Sequence, residues 1–141
     1  LTHTQNMKAS KSGMTLLELT VVILVLLSLI SILFIGARAW KKGSDRAASI
    51  LQIRNVQQAV RSFSNMNGHT PGATVANLKT EVFGAGKFIE RDPTAVGTLH
   101  PAGGAVSYVI AAPTVIPLVG VLYMGCSDPE YAPIAATIAD W

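Results

Sequence analysis

"KSGMTLLELTVVILVLLSLISILFIGARAWKK", residues 11–42, decides how the rest of the chain is read. Its residues 19–37 carry no charged side chain. At 1.5 Å per residue, a helix of that length is enough to cross a hydrocarbon core of ~30 Å. A cleavable secretory signal has a shorter apolar region, about 7–15 residues, followed by a small-x-small cleavage site. Here Trp40, Lys41 and Lys42 follow instead. The expectation is a retained, single transmembrane helix. Glu18, at its start, breaks a physical rule, because a carboxylate inside a bilayer costs on the order of 3 kcal/mol or more without a partner. Two explanations stand. Glu18 reaches the headgroups from near the end of the span, or it awaits a cation from another chain. Cleavage after Gly13 would create such a cation: a new α-amine on Met14, about 6 Å along the helix from Glu18.

The 141 residues are 50% hydrophobic and 13% charged, with a formal net charge of +3. Much of the apolar excess lies in the N-terminal run, and the roughly 100 residues after it suffice for one modest core. No basic cluster is interleaved with aromatics, so no nucleic-acid partner is expected. Cys126 is the only cysteine, which excludes an intrachain disulfide and a thiolate-rich zinc site. Lys8 and Lys11 precede the apolar run, while Arg38, Lys41, Lys42 and Arg46 follow it, opposed by Asp45. Charge alone would therefore put the C-terminal side in the cytoplasm.

The helix is expected to continue. "AASILQIRNVQQAVRSFSNM", residues 47–66, has neither proline nor glycine. At ~100° per residue, Ile50, Ile53, Val56, Val60 and Phe63 share a stripe, and Arg54, Gln58, Arg61 and Ser62 fall away from it. This pattern fits an amphipathic helix lying on a core and stopping at Gly68 and Pro71. A continuous helix over residues 14–66 would be ~80 Å long, with Gly36 and Gly43 as the places to bend or fray.

Beyond Pro71, "TVANLKTEVFG" (residues 74–84) has Val75, Leu78 and Val82 at helical spacing, with Lys79 and Glu81 toward water. "KFIERDPTAVGTLHPAGG" (87–104) is turn-rich. "AVSYVIAA" (105–112) and "VGVLYMGCS" (119–127) are rich in β-branched and aromatic residues and are expected to form an antiparallel hairpin across "PTVIPL". The tail, "DPEYAPIAATIADW", fits either a last strand or a loose end.

Catalytic patterns are missing. "GAGKFI" at residues 84–89 lacks the third glycine of a dinucleotide loop, and Lys87 precedes Phe88, so a turn is expected there. His3, His69 and His100 are dispersed. "GCSDP" does not complete a nucleophile turn. Asp128, Glu130 and Asp140 are either solvated loop carboxylates or calcium ligands acting with backbone carbonyls. No cofactor and no enzymatic activity are expected.

"KSGMTLLEL" followed by a long apolar helix resembles the processing and methylation segment of type IV pilins and the pseudopilins of type II secretion. In that family a prepilin peptidase cuts after a glycine, methylates the new N-terminus, and leaves a glutamate five residues into the mature chain. The resemblance makes Gly13 the cleavage residue, Met14 the methylated N-terminus and Glu18 the assembly glutamate. The family more often has phenylalanine where Met14 stands, and often has a proline in the apolar helix, for which Gly36 is a substitute. "PAGGAVSYVIAAPTVIPLVGVLYMGCS" is similar to the pseudopilin pattern of Cys-Pro-x-Gly-Gly, strand, loop, and a strand ending in Cys-Ser. His100 stands where such relatives often have cysteine. Counted from Met7, the leader is "MKASKSG", a common length, which suggests a start at Met7.

The resemblance also places the leader at the cytoplasmic face, against the charge count. It implies an α+β fold, with a long N-terminal helix packed on a small C-terminal antiparallel β domain. The expected organisation is a leader (1–13), a transmembrane assembly helix (14–39), its amphipathic half (40–68) and a small globular domain (69–141). The implied function is a pseudopilin of the bacterial inner membrane, with its C-terminal domain outside the cytoplasm. Its expected partners are further copies of itself, other pilin-like subunits, the prepilin peptidase and an inner-membrane assembly platform. Two alternatives stay open: a type IV pilus subunit for adhesion, motility or DNA uptake, and a single-pass anchored binding domain that never assembles.

Overall fold

The computed structural model describes residues 15–141 in full and the backbone of the first helix from Asn6. The expected leader, the cleavage residue Gly13 and the Met14 side chain lie outside the fully described residues. The chain divides into two compact units, Leu1–Lys41 and Lys42–Trp141.

Helix α1 spans Asn6–Asn67. No proline interrupts it, and Gly36 and Gly43, the expected weak points, are both helical. In the first unit every side chain from Thr15 to Lys41 is exposed. The few hydroxyls in the apolar stretch donate to carbonyls of their own helix: Thr20 to Leu16 at 2.7 Å, Ser28 to Val25 at 2.8 Å and Ser31 to Leu27 at 2.9 Å. Such back-bonding removes most of the cost of placing a hydroxyl in an apolar phase. The helix is long and apolar enough to cross a membrane.

In the second unit, α1 supplies one wall of the core. Ile53, Val56, Val60 and Phe63 are buried, while Ile50 is half-buried. Fully burying such side chains is worth about 1.5–3 kcal/mol each. The helix stops by a specific backbone device. Gly68 takes φ +69, and the His69 N–H donates to the Ser64 carbonyl at 2.9 Å, the 6→1 bond of a Schellman motif. The His69 ring stacks on Phe63 with centroids 5.7 Å apart, closing the apolar contact that usually accompanies this stop.

Helix α2 covers only Leu78–Val82. Leu78 and Val82 face the core as expected, and Val75 is half-buried ahead of it. The expected hairpin shrinks to β1, Tyr108–Val109, and β2, Gly125–Cys126, paired antiparallel with Tyr108 opposite Cys126. The rest of the apolar sequence spends its backbone groups elsewhere. Gly72 N–H donates to Ile116 O, Ile116 N–H to Ala73 O and Val75 N–H to Thr114 O, at 2.7–2.9 Å. The segment expected to be a simple loop is thus a ladder partner for the residues after Pro71, and Pro113 and Pro117 bound it because they cannot donate. The tail is neither strand nor loose. Two 3-10 turns, Pro129–Tyr131 and Ala135–Thr137, carry it over the core, and Ile138 is buried.

The coarse α+β architecture is therefore present: one long N-terminal apolar helix and a small antiparallel two-stranded sheet.

Candidate functional site

Glu18 lies near the beginning of the described apolar helix, with Leu16, Leu17 and Leu19 exposed around it. It makes no ion pair among the described residues. In an apolar surround, a carboxylate so placed has every reason to acquire a cation or to reach water.

The second unit holds a buried polar cluster that the hydrophobic pattern did not announce. His100 is 4% exposed and Ser49 fully buried. The Ala102 N–H donates to His100 Nδ1 at 3.0 Å, so Nδ1 is the acceptor and the neutral ring carries its proton on Nε2. That Nε2–H faces Ser49 Oγ at 2.9 Å, and the Ser49 hydroxyl donates onward to the Tyr131 carbonyl at 2.8 Å. Cys126 Sγ lies 3.6 Å from the same Nε2. The imidazole is held between Tyr108, with centroids 4.5 Å apart, and the edge of Tyr131, at 5.6 Å. Burial pushes the His100 pKa down, against the raising influence of the Asp45 carboxylate.

This tautomer limits the chemistry. A general base for the Cys126 thiol, or a metal ligand, needs a bare Nε2. Moving the proton to Nδ1 would set it against the Ala102 N–H. The pair is arranged as a structural tie between α1, β2 and the tail, not as a nucleophile and its base.

A second tie runs along α1. Gln57, 2% exposed, donates its amide to the Val121 carbonyl and accepts from the Tyr123 N–H, both at 2.9 Å. Arg61, placed by its spacing off the apolar stripe, donates to the carbonyls of Pro117, Leu118 and Trp141. Burial pushes its pKa down. Arg54 lies over the Trp141 ring at 5.5 Å. Together with Gln58, Ser62, Asn65 and Asp140 these residues line an open cleft of about 500 Å³.

Helical spacing could have found most of these residues. At ~100° per residue, Ser49, Gln57 and Ser64 fall within about 40° of Ile53, on the buried stripe. Polar residues on such a stripe are expected to hold buried backbone partners. Arg61, about 80° away, sits at its edge, where a long side chain reaches back over the core. The partners of Ser49, Gln57 and Arg61 lie more than 50 residues distant and leave no local mark, whereas Ser64 donates locally to the His69 carbonyl at 2.7 Å.

The three acidic residues considered for calcium have separate employments. Asp128 accepts from the Glu130 N–H at 3.0 Å, Glu130 pairs with Lys42 at 2.8 Å, and Asp140 lines the Arg54 cleft. Among the described residues, no three His, Cys, Asp or Glu side chains gather around a possible ion.

Comparison with protein-family models, with curated proteins and with solved structures gives no match.

Proposed function

We propose that this chain is a structural subunit of the pseudopilin type, held in a membrane by its apolar helix until it is assembled into a filament. The observation that carries the reading is the exposed carboxylate of Glu18 at the start of an otherwise apolar helix, five residues past Gly13. Prepilin peptidase cuts between Gly13 and Met14 and methylates the new amine. In the filament, neighbouring helices replace lipid around the apolar surface, and Glu18 pairs with the Met14 amine of an adjacent subunit. Pairing offsets the cost of burying both charges. Lys42–Trp141 is the part left to face the surroundings. The secretion-type filament is favoured over a type IV pilus by the sequence pattern around residues 101–127.

The intact mass of the protein recovered from its own cell's membranes tests processing. A chain beginning at Met14 with one added methyl is expected, and a chain retaining Lys8 to Gly13 overturns the reading. Glu18→Gln tests assembly, since the variant should insert normally yet fail to enter filaments. The rival, an anchored domain that binds a ligand, draws on the Arg54–Arg61 cleft and expects Glu18→Gln to behave as wild type.

A further inference from the structure

The geometry points to a second property, independent of filament assembly: we propose that His100 is an acid-sensitive latch whose protonation releases the Ala102 amide and opens the turn over residues 100–104.

Nδ1 of the ring accepts the Ala102 N–H at 3.0 Å, and Nε2–H is committed toward Ser49. The only vacant position for a further proton is the Nδ1 lone pair. Once protonated there, the ring presents a donor to a donor, and the Ala102 bond is lost. Rotation of the ring offers no escape. Tyr108 and Tyr131 confine it, and rotation would break the chain from His100 through Ser49 to the Tyr131 carbonyl. The adjoining turn is the softer part: it is held by the Gly103 N–H to His100 carbonyl bond and the Val106 N–H to Gly103 carbonyl bond, and contains Gly103 and Gly104.

The groups around the ring decide which way the proton is pushed. Asp45 on α1 favours the imidazolium, and Ser49 beside it is neutral. β1 contributes Tyr108, whose pKa burial pushes up, so it stays neutral across the acid range. β2 contributes the Cys126 thiol, and the tail contributes the Tyr131 phenol. On the tail, Tyr131, Asp128 and Glu130 lie near Lys42, which is already paired with Glu130 at 2.8 Å. Burial is the larger influence on His100, and the folded ring resists its proton. The unfolded chain, with an ordinary pKa of about 6.5, does not. Stability is therefore fully present above about pH 6.5 and is lost as pH falls below it toward the lower folded pKa.

The test uses the full chain in detergent micelles, with the histidine ring nitrogens and amides followed by NMR from pH 8 to 4.5. The expected result is an Nε2–H tautomer at pH 8, titration clearly below about 6.5, and loss of Ala102 amide protection in step with it. In urea, the unfolding constant should rise by up to about tenfold per pH unit between the two pKa values. His100→Gln, which keeps a donor and an acceptor, should lack this rise. An equal acid response in His100→Gln overturns the proposal. So does His100 protonation that leaves the Ala102 amide protected. If His100→Gln does not fold, the wild-type titration decides alone.

Discussion

Gln57 shows how one side chain can substitute for a length of β-ladder. Its carboxamide presents a donor and an acceptor to the Val121 carbonyl and the Tyr123 N–H, as a neighbouring strand would. Each buried backbone group left unpaired costs about 1–3 kcal/mol. Gln57→Leu, similar in volume, should therefore lower the unfolding free energy by about 2–6 kcal/mol, the sum for two orphaned groups. Chemical denaturation measures it, and a loss below about 1 kcal/mol would mean that water replaces the carboxamide. Tyr123, at the end of this clamp, makes a second prediction. Its hydroxyl donates to the Pro113 carbonyl at 2.8 Å, and burial holds its pKa up at about 12. The unfolded phenol ionises near 10, so this contribution to stability is intact below pH 10 and is lost as pH rises from there toward 12. Absorbance at 295 nm should show Tyr123 ionising near pH 12, beside a late Tyr108, and Tyr123→Phe should remove the Tyr123 share of the late absorbance.

Among the elements, α1 was the most legible and the sheet the least. The stripe of Ile53, Val56, Val60 and Phe63 repeats at a period that only a helix satisfies, and all four are buried. Ile53→Ala should cost about 2–5 kcal/mol, the range for emptying a fully packed aliphatic site. The stop at Gly68 was legible too, because glycine takes the left-handed conformation without strain. A Cβ there would meet nothing within 4 Å, so Gly68→Ala isolates the backbone penalty, about 1–2 kcal/mol. A smaller loss by thermal denaturation would show that the last turn frays instead. The two strands misled for a physical reason. β-branched and aromatic residues at 105–112 and 119–127 announce extended backbone, yet extended backbone does not specify its partner. Here Gln57 and the segment after Pro71 took the hydrogen bonds that a longer hairpin would have used.

At the scale of the whole chain, the division into Leu1–Lys41 and Lys42–Trp141 separates two kinds of surface. Every buried described residue lies at Ser49 or beyond. A chain of residues 42–141 should therefore keep a cooperative unfolding transition and stay in the aqueous phase of a detergent partition, while the full chain enters the detergent phase. Non-cooperative melting of the shorter chain would mean that the core depends on residues before Lys42. The apolar run was legible from composition, and Glu18 from the cost of its charge. The His100 cluster was not, because Ser49, Cys126 and Tyr131 meet it only through tertiary folding. In the first unit, Thr20, Ser28 and Ser31 have turned their hydroxyls inward to their own carbonyls, leaving hydrocarbon as almost all that a neighbouring helix would touch. Against that surface, sliding meets only shallow corrugation, since the dispersion attraction given up at one position is recovered at the next. Two such helices would move past each other like greased rods until a lone charge dropped into its counter-charge and acted as the detent.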